Sequence, residues 1–306
     1  MKVAFAGTPE FAATILRGLI SSYHDVGLVI SQPNPRKGRG RKSQPTPVAE
    51  LARATGLPLR QPARLSEVAD EISHHNALVV AAYGQILRPD TLYAASEGAW
   101  NVHASLLPKY RGAAPVERAI MEGERETGVT VIRMDEGLDT GPMALQRRVE
   151  ISPELTGGEL TQLLAHVGAK AIVESLTSLE AGTLTLVEQD DLHATYASKL
   201  SDEDKIILWE ESAEEVHDLI RALSPHIGAR AFHPGVEGPV KIWRSRITRD
   251  EDLSLDVGEI YAQDGRIVVG CGTGLLEVLE LQMPAAKRLT ARDFLLGNTL
   301  RGVFVA

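Results

Sequence analysis

Residues 77–82, ALVVAA, are apolar at every position, and this run constrains the architecture more than any other segment. A strand with no polar alternation buries both faces, so layers must cover its sheet on two sides. The run belongs to a series. Residues 2–6, 26–30, 100–103 and 129–134 read as further strands. Between them lie stretches with apolar residues at helical spacing, such as Phe11, Ile15, Leu16 and Leu19 after the Gly7 turn. Thr8 is expected to cap that helix with Pro9 as its first residue, and Thr46 and Pro47 start another helix in the same way. Residues 158–179 form a long amphipathic helix. Strand and helix alternating in this manner predict an α/β sheet with helices on both faces.

The pattern changes near residue 205. Residues 206–208, 240–243, 258–262, 266–270 and 275–281 read as short strands broken by Gly, Pro and Asp, with a helix over 213–223. Short strands with turn signals predict a small barrel. A chain of 306 residues suits two domains. We place them at 1–189 and 205–306, with the polar stretch 190–204 as a linker.

Several classes are set aside early. No apolar run reaches the ~18 residues of a membrane span. The single cysteine, Cys271, rules out an internal disulfide framework and a Cys-rich zinc site. The N-terminal apolar stretch after Lys2 is cut short by Thr8, Pro9 and Glu10, so it does not read as a signal peptide, and a cytoplasmic protein is expected. The first turn, Ala6-Gly7-Thr8-Pro9, is not a G-x-G-x-x-G, so no dinucleotide site is supported. No histidine pair has metal-ligand spacing, and no metal is expected.

Chemistry concentrates in residues 100–115, WNVHASLLPKYRGAAP. Asn101 and His103 alternate around Val102 and so share one strand face, ~7 Å apart. They sit at the strand end, where open α/β sheets bind ligands. An amide there can donate to a developing oxyanion and an imidazole can shuttle a proton. Two polar residues closing a strand into solvent read equally well on spacing alone. The loop 134–142 adds three carboxylates, Asp135, Glu136 and Asp139, of which one would orient a histidine if the loop is more than a solvated turn. Ser105, the nearest hydroxyl, lies in a loop two residues past His103. Direct transfer to an external nucleophile is therefore favoured over a covalent intermediate.

Charge is uneven. The net charge is −9, which excludes a uniformly basic nucleic-acid binder. Yet residues 32–45 carry Arg36, Lys37, Arg39, Arg41 and Lys42 with no acid. Against so acidic a background this loop suits phosphate contacts better than mere solvation. A second basic stretch, 221–249, includes Lys241, Arg244 and Arg246 beside Trp243.

The segments Asn101-Val102-His103, Ser105-Leu106-Leu107-Pro108, Tyr110-Arg111-Gly112-Ala113-Ala114-Pro115 and Gly137-Leu138-Asp139-Thr140-Gly141 together resemble the folate-dependent formyltransferases. The opening VAFAGTPEF, the basic loop and Pro239-Val240-Lys241-Ile242-Trp243 extend the likeness over the whole chain, to the branch of that family acting on initiator tRNA. The resemblance implies a Rossmann-like α/β formyltransferase domain followed by an OB-like β-barrel domain that binds tRNA. It implies transfer of the formyl group of 10-formyltetrahydrofolate to the amino group of methionine on initiator methionyl-tRNA, by a monomer. Asn101, His103 and Asp139 would be the catalytic set. Ser105, Leu106, Leu107 and Pro108 would border the folate. Tyr83, Gly84, Gln85 and Ile86, following the central strand, are expected to meet its ring, with Gly84 allowing close approach. The alternatives are an amino sugar nucleotide as acceptor, or hydrolysis of the folate.

Overall fold

The computed structural model describes residues 1–37, 42–250 and 252–305. The chain forms two compact units. The first comprises Met1–Ala113, Glu126–Glu150 and Thr161–Ala197; the second comprises Ala114–Arg125, Ile151–Leu160 and the residues from Ser198 onward.

Seven strands build the sheet of the first unit: β1 (Lys2–Gly7), β2 (Asp25–Ile30), β3 (Leu59–Arg60), β4 (Ala77–Ala81), β5 (Ala99–His103), β6 (Glu126–Arg133) and β7 (Met143–Glu150). Their order is β7-β6-β5-β4-β1-β2-β3, parallel from β5 to β3 and antiparallel at β6 and β7. The all-apolar β4 is buried at every residue, as its sequence requires. From β1 the chain first builds toward β3 and then restarts on the other side with β4. The switch point of the sheet therefore lies between β1 and β4, and ligands bind at such points beyond the strand C-termini. β7 was not foreseen. It is an edge strand whose residues are half-buried or exposed, so its sequence lacks an apolar signature.

Helix α1 (Glu10–Ile20) buries Ala12, Ala13, Ile15, Leu16 and Leu19. Its N-cap is Pro9, with no side-chain cap. The expected cap, Thr8, instead donates its hydroxyl to the Tyr83 carbonyl at 3.1 Å, joining the ends of β1 and β4. Gly7 is needed there, since a Cβ would stand 2.6 Å from the Ala12 Cβ and 2.9 Å from the Ala81 oxygen. Helix α2 (Pro47–Ala54) follows the rule that α1 breaks: Thr46 accepts from the Ala49 N–H, and Pro47 is the first residue. The long helix α3 (Gly157–Glu180) buries Leu164, Ala165, Ile172 and Leu176. It also fixes the facing of β5: a Cβ on its Gly168 would stand 2.7 Å from Val102 Cγ1. Val102 thus faces the helix, and pleating turns Asn101 and His103 the other way.

The second unit holds an antiparallel sheet: β8 (Ala229–Ala231), β9 (Val240–Thr248), β10 (Glu259–Gln263), β11 (Arg266–Gly270), β12 (Leu275–Gln282) and β13 (Gly302–Val303), in the order β8-β9-β12-β11-β10-β13. Trp209, Ile242, Ile267, Val269, Leu276, Val278, Phe294 and Phe304 belong to its core. Helix α4 (Ala213–Ala222) opens on a capping box of Ser212 and Glu215. The strand expected over 206–208 is reduced to one bridge, Ile206 to Arg230, because the core takes Ile207 alone while Leu208 is exposed. The first half of the expected connector is structured. Tyr196–Ala197 pairs in parallel with Arg111–Gly112 inside the first unit.

Candidate active site

Asn101 and His103 emerge at the end of β5, and one carboxylate reaches both. Asn101 Nδ2 donates to Asp139 Oδ1 at 3.2 Å, and the Gly112 N–H donates to Oδ2 at 2.9 Å. His103 Nδ1 lies 3.6 Å from the same Oδ2. On its other side His103 Nε2 is 2.8 Å from the Tyr110 carbonyl. A carbonyl only accepts, so Nε2 carries the proton of neutral His103. The other ring nitrogen, Nδ1, faces Asp139, and His103 is 5 % exposed. Tyr110 and Asp139 both hold positive φ, 61° and 56°. Non-glycine residues keep that conformation only where surrounding bonds enforce it.

The three carboxylates of the 134–142 loop divide their tasks. Asp135 closes its own turn by accepting from Thr140 Oγ1 at 2.7 Å and the Gly137 N–H at 3.0 Å. Glu136 is exposed. Asp139 alone enters the cluster.

Two residues that sequence reasoning missed, together with Arg111, which it named only within a motif, frame the site. The Thr195 hydroxyl accepts the Tyr110 N–H at 2.9 Å. Gln189 donates to the carbonyls of Asp139 and Gly141 at 2.7 and 2.8 Å and accepts from Arg111 at 3.1 and 2.8 Å. Arg111 is 2 % exposed and also pairs with Asp191 at 2.7 Å. Gln189 and Thr195 lie in polar chain without a period, so no local signal marks them.

The expected donor-binding residues fall into two groups. Ile86 is 93 % exposed, Leu106 and Pro108 are half-buried, and Gly84 (φ 86°) has open space where a Cβ would stand. The others have partners within the protein. Ser105 is buried, donating to the Lys109 carbonyl at 2.6 Å while its own carbonyl accepts from Thr130. The buried Leu107 gives its N–H to Thr130 and takes Gln146 Nε2 on its carbonyl at 2.7 Å. The Tyr83 ring is buried and its carbonyl already accepts from Thr8 and Gln32. The Gln85 amide bonds Leu65, Ala63 and Gln32.

Of the basic residues, Arg39 and Arg41 lie outside the described residues. Arg36 and Lys37 pair with Lys42 and Ser43 in a short antiparallel ladder. In the second unit Lys241 Nζ donates to the Ile227 carbonyl at 2.7 Å and sits 5.2 Å from the Trp243 ring centroid. Arg288 covers the same ring at 4.9 Å. Arg244 is exposed. Arg246 is exposed too, but its guanidinium pairs with Glu277 at 3.0 and 2.9 Å. Among the described residues no group of three or more His, Cys, Asp or Glu is placed to hold a metal ion, and no helix is long and apolar enough to cross a membrane.

The formyl transferase family model matches residues 1–176, the model of the formyl transferase C-terminal domain matches residues 199–299, and the chain belongs to this family. It is 66 % identical over 302 residues to a methionyl-tRNA formyltransferase of Rubrobacter xylanophilus, covering 99 % of each chain. A methionyl-tRNA formyltransferase of Alkaliphilus metalliredigens is 44 % identical over 311 residues, covering 100 % of this chain and 98 % of that one. Among solved structures, an N-formyltransferase of Helicobacter canadensis in complex with folinic acid and dTDP-3-aminofucose superposes with a TM-score of 0.68 over 94 % of this chain and 100 % of its own. At 19 % identity that is a likeness of fold.

Proposed function

We propose that this protein transfers the formyl group of 10-formyltetrahydrofolate to the amino group of methionine on initiator methionyl-tRNA. The observation that carries the chemistry is the single carboxylate of Asp139 serving both Asn101 and His103 at the ligand-binding end of the sheet. The full-length likeness to methionyl-tRNA formyltransferases supports the acceptor.

The neutral amine attacks the formyl carbon, the bond from that carbon to N10 of the folate breaks, and one proton passes from the amine to N10. An amide has two N–H groups, and Asn101 gives one to Asp139. The other is available to the oxygen that becomes negative in the tetrahedral intermediate. His103 holds its Nε2 proton on Tyr110 and exchanges a proton at Nδ1, where Asp139 balances the imidazolium. Ile86, Leu106 and Pro108 supply apolar surface for a flat pterin, and Gly84 lets it approach the backbone.

In this reading residues 1–189 carry the chemistry, 190–204 join the two parts and 205–306 hold RNA. The antiparallel sheet of the second unit supports an OB-like barrel. The loop basic residues Arg36, Lys37, Arg39, Arg41 and Lys42, with Lys241, Arg244 and Arg246, would meet phosphates. In the second unit Lys241 and Arg246 already have partners, and Arg244 is exposed. The enzyme works in the cytoplasm as a monomer.

The test is formylation with 10-formyltetrahydrofolate, scored by mass of N-formyl product. Charged initiator methionyl-tRNA, charged elongator methionyl-tRNA and an amino sugar nucleotide are compared as acceptors. Product on the initiator alone is expected. Product on the sugar nucleotide would keep the catalytic cluster and overturn the RNA reading. Folate turnover without formylated acceptor would indicate a hydrolase.

A further inference from the structure

We infer that Gln189, held by Arg111, is a positioning residue for Asp139 and sets the His103–Asp139 geometry in the reaction proposed above, on which this inference rests. Gln189 lies between the two stretches matched by the family models, 1–176 and 199–299. No family-model match therefore covers it.

The amide of Gln189 can adopt only one orientation here. Two carbonyls, those of Asp139 and Gly141, face one end at 2.7 and 2.8 Å, and they require the NH₂ group. The Arg111 guanidinium faces the other end at 3.1 and 2.8 Å and requires the oxygen. One side chain thus uses both amide hydrogens to clamp the loop on either side of Thr140. The clamp acts where it is needed, because Asp139 is held at φ 56°, in the left-handed region.

The anchor of the clamp is itself fixed. Arg111 is almost wholly buried, pairs with Asp191 at 2.7 Å, and gives its backbone N–H to the Thr195 carbonyl at 2.8 Å. The next residue, Gly112, gives its N–H to the Asp139 carboxylate. The same dipeptide therefore grips Asp139 twice, by its carboxylate directly and by its backbone through Gln189. Gly112 has φ 120°, and a Cβ there would stand 2.8 Å from the Ala197 oxygen, so Arg111–Gly112 lies tightly against the Tyr196–Ala197 strand. Releasing the backbone grip frees the carboxylate to turn on the Gly112 bond. His103 Nδ1, already 3.6 Å away, then loses its opposing charge in the transition state.

The experiment measures kcat, both KM values and the pH dependence of kcat for wild type, Gln189→Met, Asp139→Asn and the double variant, with thermal unfolding of each. Methionine keeps the length and removes both ends of the clamp. The expected loss in kcat is about tenfold to a hundredfold, of the size that small misplacements of catalytic groups produce, with each KM within about threefold of wild type. The pH dependence of kcat changes in the same variant, since the carboxylate facing His103 is no longer held in place. In the Asp139→Asn background the further loss falls below about threefold, since a residue acting through Asp139 is not additive with it. Gln189→Glu keeps the bond to Arg111 and turns an oxygen toward two carbonyls; it loses at least as much kcat, and it carries the test if the methionine variant does not fold. Multiplicative losses in the double variant, or a raised KM at unchanged kcat, would overturn the inference. Absence of product from wild type would overturn the proposed reaction instead.

Discussion

In the first unit His103 Nδ1 stands 3.6 Å from Asp139, short of a hydrogen bond. In the second unit Arg118 closes on both oxygens of Asp204 at 2.8 and 2.7 Å. A second set of groups in each unit shows the same contrast. Asn101 gives one amide N–H to Asp139, and among the described residues no bond uses the other. Arg246 gives two N–H groups to Glu277, which also takes Arg266 at 3.4 Å. Polar groups kept for a ligand are oriented but left with capacity. Polar groups that hold a fold together are satisfied by one another. In the sequence Asn101 and His103 attracted notice as a strand end and Arg246 as part of a basic patch, whereas Arg118 and Asp204 did not. The spare amide N–H of Asn101 is what separates it from Arg246 and Arg266, which close on Glu277; the buried Arg118 Nε, with no partner among the described residues, is the exception in the second unit.

The sharpest way to break this contrast is Asn101→Ala. Removing a preorganised oxyanion donor lowers kcat about 10²–10³-fold. We expect that loss with little change in the unfolding midpoint, measured by steady-state kinetics and denaturant titration on one preparation. Near-wild-type turnover would remove Asn101 from the chemistry.

Asp204→Asn probes the opposite case. Hydrogen bonding to Arg118 pushes the Asp204 carboxyl down to about 2, from an ordinary 3.8. A depressed carboxyl stabilises the fold above its unfolded value and loses that stability as pH falls through the folded one. The wild type should therefore exceed the variant by about 1 kcal/mol near pH 7, as partly exposed pairs do. The advantage should shrink from about pH 4 to about pH 2, with catalysis per folded molecule unchanged. Urea titration across that range, alongside kcat at pH 7, checks it.

The smallest effect is expected for Tyr83→Phe. Burial pushes the Tyr83 phenol up to about 12, and its hydroxyl has no hydrogen-bond partner among the described residues. Deleting a buried, unpaired hydroxyl leaves stability level or raises it by up to about 1 kcal/mol. In the proposed reading the KM for the folate should not move, because the Tyr83 ring is buried. A raised KM would show that the ring itself meets the ligand.

Much of the frame was legible because its signals are local. The apolar run of β4 announced a buried strand, and Thr46-Pro47 announced a helix start. The alternation Asn101-Val102-His103 announced one polar face. The failures have equally specific reasons. Thr8 satisfies the capping pattern, yet its hydroxyl turns to the Tyr83 carbonyl, which parallel pairing of β1 and β4 brings within reach. β7 is an edge strand facing solvent, so no burial pattern marks it. Arg246 reads as a free charge until β9 and β12 pair and place Glu277 opposite it.

By itself the sequence determined which residues are apolar, which faces they share, and which amide, imidazole and carboxylates are available. Those properties repeat every two residues or every 3.6 and need no distant partner. Tertiary structure decided which of three carboxylates meets His103, which carbonyl fixes its tautomer, and that a glutamine 78 positions beyond Arg111 completes the frame. Hydrogen bonds act over about 3 Å, so partners so far apart in the chain are chosen only when the sheet and its crossings bring them together.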